Sequence, residues 1–136
     1  MRWIITFLKT IIIRKWWIIK NIYTFISSRY NIFDTGNSNI IRIWDFKNKN
    51  LIKRITSNSN SPLYGFILIN NLYLIIGSCD KEIKVFDINN GILVTKFSKH
   101  TGNVVGVKVI KDKDDNTYFV SYAYNGDNNM YLWSLK

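Results

Sequence analysis

Three stretches decide how this chain folds: IIRIWDF (Ile40–Phe46), EIKVFDI (Glu82–Ile88) and MYLWSL (Met130–Leu135). Each is short and rich in β-branched and aromatic residues, the composition that suits a pleated strand. Each carries an aromatic near its end, at Trp44, Phe86 and Trp133, with spacings of 42 and 47 residues. Recurrence at that period marks a repeated multi-strand unit that must stack on its neighbours to bury its apolar faces.

The likeness runs outward in both directions. Downstream, WDFKNKNLIKRI (Trp44–Ile55) aligns without gaps on FDINNGILVTKF (Phe86–Phe97): a strand end, a polar turn, another strand. Six residues before each aromatic stand Ser38, Asp80 and Asp127, among Gly36, Asn37, Gly77, Ser78, Asn125 and Gly126. That is hairpin-turn chemistry. Further upstream, Ile13–Ser28 aligns on Leu63–Ser78, pairing Trp16 with Phe66, Ile18 with Leu68, Ile22 with Leu72 and Ser28 with Ser78. This alignment gives the first unit about eight extra residues, Arg29 to Gly36, before its third strand. In the third unit Val104, Val107 and Val109 keep the spacing of Leu63, Phe66 and Leu68.

A period near 40–45 residues with four strands and a Trp-Asp near the end of the third is the pattern of WD-repeat propellers. Over residues 11–136 the chain resembles that family. Trp44-Asp45 matches the naming dipeptide; Phe86-Asp87 and Trp133-Ser134 are variants of it. Lys99-His100 is a degraded form of the family's Gly-His. The resemblance implies an all-β fold: a partial WD-repeat β-propeller of about three four-stranded antiparallel blades. Their approximate bounds are 11–55, 63–97 and 104–136. It also implies a buried hydrogen-bonded chain of His, Ser or Thr, Asp and Trp within a blade. In the third unit this falls on His100, Asp127 and Trp133, with Ala123 in the Ser slot and Ser121 as the nearby alternative. The second unit keeps Asp80 but not the His or the Trp; the first keeps only Trp44.

Propellers close with about four to eight blades, and three are counted here. The third unit is expected to lack its outer strand. Trp3–Leu8 resembles Ile92–Lys99 in spacing and character, so residues 1–9 are read as an outer strand of an adjacent blade. Supplied to a second copy, that strand would close a six-bladed ring from two chains. A propeller fragment without independent function is the bland alternative.

Composition narrows the classes further. The chain has 136 residues, 47% hydrophobic and 15% aromatic, enough for a packed core. Its 23 Ile, 17 Asn and 14 Lys reflect a compositional bias, so Ile and Asn content carries little functional weight. The single cysteine, Cys79, excludes an internal disulfide and a cysteine zinc site. An intracellular location, cytoplasmic or nuclear, follows as an expectation.

The formal net charge of +10 is uneven, because residues 1–33 hold six basic and no acidic side chains. Such a segment suits an anionic membrane surface or nucleic acid, and it also suits a solvated face. Lys9, Arg14, Lys15 and Lys20 break every apolar run in it, so no spanning helix or signal peptide is read there. Ile4, Leu8, Ile11, Ile18, Ile22 and Phe25 fit a helical period as well as strands, which keeps a basic amphipathic helix open. Its β-branched and aromatic residues favour strands.

No enzyme can be assembled from these residues. General-base chemistry would rest on His100 alone, and Cys79 has no His near it in sequence. Asp112, Asp114 and Asp115 lack the Gly and distal Glu of a calcium loop and read as a polar hairpin. No phosphate-binding glycine loop is present. Trp16, Trp17, Tyr23, Tyr30, Tyr64 and Tyr73 could stack bases, but their alternation suits blade packing better, and no nucleic-acid motif accompanies them. No catalytic residue, metal or cofactor is expected.

The function implied is that of a non-catalytic protein-interaction scaffold working through loops on a rigid frame. The candidate loops carry Arg29, Tyr30 and Asn31, then Cys79 and Lys81, then Lys99, then Asn125 and Asn128. Other proteins are the expected partners, a homodimer closing a six-bladed ring stays open, and nucleic acid and membrane are disfavoured. Trp44-Asp45-Phe46-Lys47 departs from the Trp-Asp-x-Arg of adaptor-recruiting relatives, and Lys lacks the planar fork of Arg.

Overall fold

A computed structural model describes residues 24–26, 31–34, 39–45 and 47–134. They form an all-β partial β-propeller of three antiparallel sheets. Sheet 1 contains β1 (Thr24–Ile26), β2 (Asn31–Asp34), β3 (Ile40–Asp45) and β4 (Asn50–Thr56). Sheet 2 contains β5 (Leu63–Ile69), β6 (Tyr73–Ser78), β7 (Glu82–Asp87) and β8 (Ile92–Ser98). Sheet 3 contains β9 (Asn103–Lys111), β10 (Thr117–Tyr124) and β11 (Met130–Ser134). Within each sheet the strands pair in sequence order, so every connection is a hairpin. Sheet 3 has three described strands.

The polar turns form where Asn, Asp and Gly permit them. Asp45 accepts from the Asn48 N–H at 2.9 Å, and Asp87 accepts from the Asn89 N–H at 2.8 Å. Both aspartates of the repeated dipeptide therefore serve as turn anchors, the Asx role that fits a short acidic side chain. Gly91 at φ 74° closes the second of these turns, and Lys49 takes the same left-handed conformation, φ 59°, in the first.

The sheets stack face to face. Ile41, Ile43 and Ile55 of sheet 1 pack against Leu63, Phe66, Leu74, Ile76 and Phe86 of sheet 2. The opposite face of sheet 2, with Ile67, Ile69, Ile75, Ile83 and Val85, packs against Val104, Val107 and Phe119 of sheet 3. Phe86 and Trp133 thus seal consecutive interfaces, Trp133 lying 4.7 Å from the Phe97 ring. Two further devices hold the stack. Lys53 reaches from β4 to donate to the carbonyls of Ile88 and Asn89, at 3.2 and 2.5 Å, pinning sheet 1 to sheet 2. A Cβ at Gly77 would stand 2.6 Å from the Val104 carbonyl oxygen, so only glycine lets β6 approach β9 this closely.

The structure corrects the reading of the first unit. β1 pairs with β2 through Ile26↔Ile32, and β2 pairs with β3 through Ile32↔Trp44. The first unit therefore follows the second at a constant offset of 42 residues, and Arg29 to Gly36 is no insertion. Asn31, expected in a loop, opens β2 opposite Asp45. The alignment of Ile13–Ser28 on Leu63–Ser78 fails for the same reason. Arg29, Tyr30, the strand proposed for Trp3–Leu8 and the alternative amphipathic helix lie outside the described residues, apart from Phe25, which is in β1. No helix among the described residues is long and apolar enough to cross a membrane.

Candidate functional site

The connections β4–β5, β6–β7, β8–β9 and β10–β11 gather at one rim of the stack. Chain alternation places them there: each follows an even number of strands, so each emerges at the same end. The rim loops are polar, and the polar groups beneath them hold them in place.

In sheet 3 that support is a continuous chain. His100 Nδ1 lies 2.7 Å from Asp127 Oδ2, and His100 Nε2 lies 2.7 Å from Ser121 Oγ. Trp133 Nε1 donates to the same Ser121 oxygen at 2.8 Å. An ionised carboxylate only accepts, so His100 gives its Nδ1 proton to Asp127. In the neutral imidazole Nε2 then accepts the Ser121 hydroxyl proton, while the indole donates to the same oxygen. Asp127 also accepts from the backbone N–H groups of Asn129 at 3.0 Å and Thr101 at 2.8 Å. The Asn129 N–H, then the Thr101 N–H and His100, hold its carboxyl well below the usual carboxylate range against the opposing effect of burial. Two rim loops, 99–102 and 125–129, are thereby tied to one buried aspartate.

Ser121, not Ala123, fills the serine position. The β10–β11 connection is two residues longer than its β6–β7 counterpart, which moves the strand position back by two: Phe119 faces Trp133 where Leu74 faces Phe86. A Ser-His-Asp sequence of hydrogen bonds resembles a nucleophile with its base. Here Ser121 is fully buried and its oxygen already accepts from Trp133. The hydroxyl therefore has no face to offer an acyl group.

Sheet 2 solves the same problem with other residues, of which sequence reading singled out Asp80 and its neighbour Ser78 but not Ser59 or Lys84. Ser59 occupies the position of His100, counted back from Leu63 as His100 is from Val104, and donates to Asp80 Oδ2 at 2.8 Å. Lys84, only 3% exposed, donates to the same carboxylate from β7. Its ammonium also lies 3.5 Å from Ser78 Oγ and 3.7 Å from Glu82 Oε2. Burial pushes the Asp80 carboxyl up, but the hydrogen bonds from Lys84, Ser59 and Ser78 outweigh it and leave it below its ordinary value. A buried lysine in mid-strand is costly unless paired, and the Asp four residues earlier pairs it.

The remaining predicted loop residues sit on the rim. Cys79 is half-buried, its N–H donating to the Pro62 carbonyl at 3.0 Å. Lys81, Lys99, Asn125 and Asn128 are exposed. Lys81 and Asn125 adopt left-handed backbone, φ 71° and 61°. Lys99 stands 4.5 Å above the Tyr131 ring. Trp44 lies in β3 and is half-buried. Asp112, across the stack at the opposite rim, accepts from Asp114 and Asn116 in a closed polar turn. No group of three or more His, Cys, Asp or Glu among the described residues could hold a metal ion.

No family model matches this chain. Over 92 residues it is 30% identical to the guanine nucleotide-binding protein subunit beta of Dictyostelium discoideum, a match covering 65% of this chain and 25% of that protein. The chain thus corresponds to about a quarter of the length of that curated relative.

Proposed function

We propose that this chain is a segment of a WD-repeat propeller that works as a protein-interaction scaffold through its polar rim. The observation that carries this reading is the division of labour among the rim's side chains. Asp80, Asp127, His100 and Ser121 are spent on holding the loops, while Lys81, Lys99, Asn125 and Asn128 stand outward on them. Rigid loops that present exposed polar groups suit partner recognition, because little ordering remains to be done on binding. Likeness to a protein named as a subunit supports the same reading. A photo-crosslinking residue at Asn125 or Asn128 is expected to capture partner protein in cells, and one at Asn48 or Asn90 on the opposite rim is not. Capture only from the opposite rim overturns the proposal.

A second reading concerns assembly. The far face of sheet 3 corresponds to the face of sheet 2 that sheet 3 covers. Met130 and Leu132 take the positions of Ile83 and Val85, yet are 71% and 64% exposed. Exposed apolar positions of this kind mark an interface. We propose that a second copy closes on it, with residues 1–9 as the added strand beside β11. Light scattering on the full chain is expected to give a dimer that Leu132→Arg, or deletion of residues 1–9, converts to monomer. A monomeric parent chain removes this reading.

A further inference from the structure

The docking rim is chemically one-sided. Among the described side chains its acidic oxygens are occupied from within: Asp127 by His100, Thr101 and Asn129; Asp80 by Ser59, Lys84 and the Glu82 N–H; Glu82 by Lys96 at 2.7 Å and Ser98 at 3.1 Å. Lys81 and Lys99 have no carboxylate within ion-pair distance among the described residues. They lie on neighbouring blades at the same end, Lys81 just past the end of β6 and Lys99 just before β9, two strands that touch at Gly77 and Val104.

Lys81 holds φ 71°, a conformation that suits Gly or Asn, and the first unit has Asn39 at the equivalent position, counted back by the same 42 residues. Lys49 takes the same conformation on the opposite rim, so the strain belongs to the turn, and what distinguishes Lys81 is its place beside Lys99. Lys99 is held as well, since its ammonium rests over Tyr131 and loses less freedom when it meets an anion.

Resting on the scaffold reading above, we propose that the partner segment received between the second and third blades is an acidic peptide, its carboxylates met by Lys81 and Lys99. The exposed Asn, Ser and Thr around them supply neutral hydrogen bonds to its backbone.

The test uses the full chain and fluorescent poly-L-glutamate. Lys81→Asn and Lys99→Gln are each expected to weaken binding about fivefold, the effect of one exposed charge pair. Lys81→Asn is also expected to hold or raise the denaturation midpoint, because it relieves the backbone. Lys49→Asn, which relieves the same conformation on the opposite rim, is expected to leave binding unchanged. The proposal fails if poly-L-glutamate does not bind, or if Lys49→Asn weakens binding as much as Lys81→Asn. It also fails if Lys81→Asn lowers the midpoint, or if polyuridylate displaces the polyglutamate at lower charge concentration, which would make the rim a nucleic-acid surface. Rim crosslinks that persist without polyglutamate binding would remove the acidic partner and leave the scaffold; loss of both removes both.

Discussion

Ser121 is the residue on which the third blade turns, because it serves two neighbours with one oxygen. Ser121→Ala leaves the buried His100 Nε2 and the half-buried Trp133 N–H without partners, a cost of about 2–3 kcal/mol in unfolding free energy. In a cycle with Trp133→Phe the double variant is expected to lose less than the sum of the singles, because one network is broken only once. Additive losses in a urea titration would show that the three side chains act separately. The aspartates set the acid limit. Asp127 and Asp80 both titrate lower in the fold than the ~3.9 of an unfolded aspartate. Each therefore adds stability above that pH and gives it up as pH falls toward its folded value. The urea midpoint is expected to hold from pH 7 to about 5 and to fall below about 4. A flat profile down to pH 3 would mean that these carboxylates carry no net stability. Legibility at this scale was partial. His100, Asp127 and Trp133 could be found because their spacing is chemical, but Ser59 and Lys84 could not. A serine is unremarkable in a polar loop, and a mid-strand lysine reads as solvent-facing until the blade beside it is known.

Elements are specified by alternation and turns, and their registers less so. β3, β7 and β11 were legible because Trp44, Phe86 and Trp133 break the monotony of the aliphatic strands. Upstream of β3 there is no such marker: runs of Ile and aromatic residues match Leu63–Ser78 at a shift of 50 nearly as well as at 42. The shift of 50 places Ile26 opposite Ile76, whereas its pairing with Ile32 makes it the counterpart of Leu68, which pairs with Leu74. Register in a sheet is set by which face is buried and by the turn, and a low-complexity strand leaves both ambiguous. β6 and β9 approach each other closely at Gly77. Gly77→Ala forces a methyl group to within 2.6 Å of the Val104 oxygen, so β6 and β9 must part. A loss of about 1–3 kcal/mol in denaturant unfolding is expected. No loss would mean that the sheets slide apart freely.

At the scale of the whole molecule, the described fold is a stack of three antiparallel sheets, and they differ in what covers them. Sheet 2 is packed on both faces, and its strand β6 buries Leu74 through Ser78 without interruption. Sheet 3 offers Met130, Leu132 and Ile110 to solvent. Amide hydrogen exchange turns this difference into an order of events. Opening β6 and β7 exposes two cores at once, whereas opening β11 exposes part of one. The amides of β6 and β7 should therefore exchange only through global unfolding, and those of β11 through local opening with a smaller free energy. Among the described residues the middle blade is thus expected to open last, with its neighbours fraying from it outward.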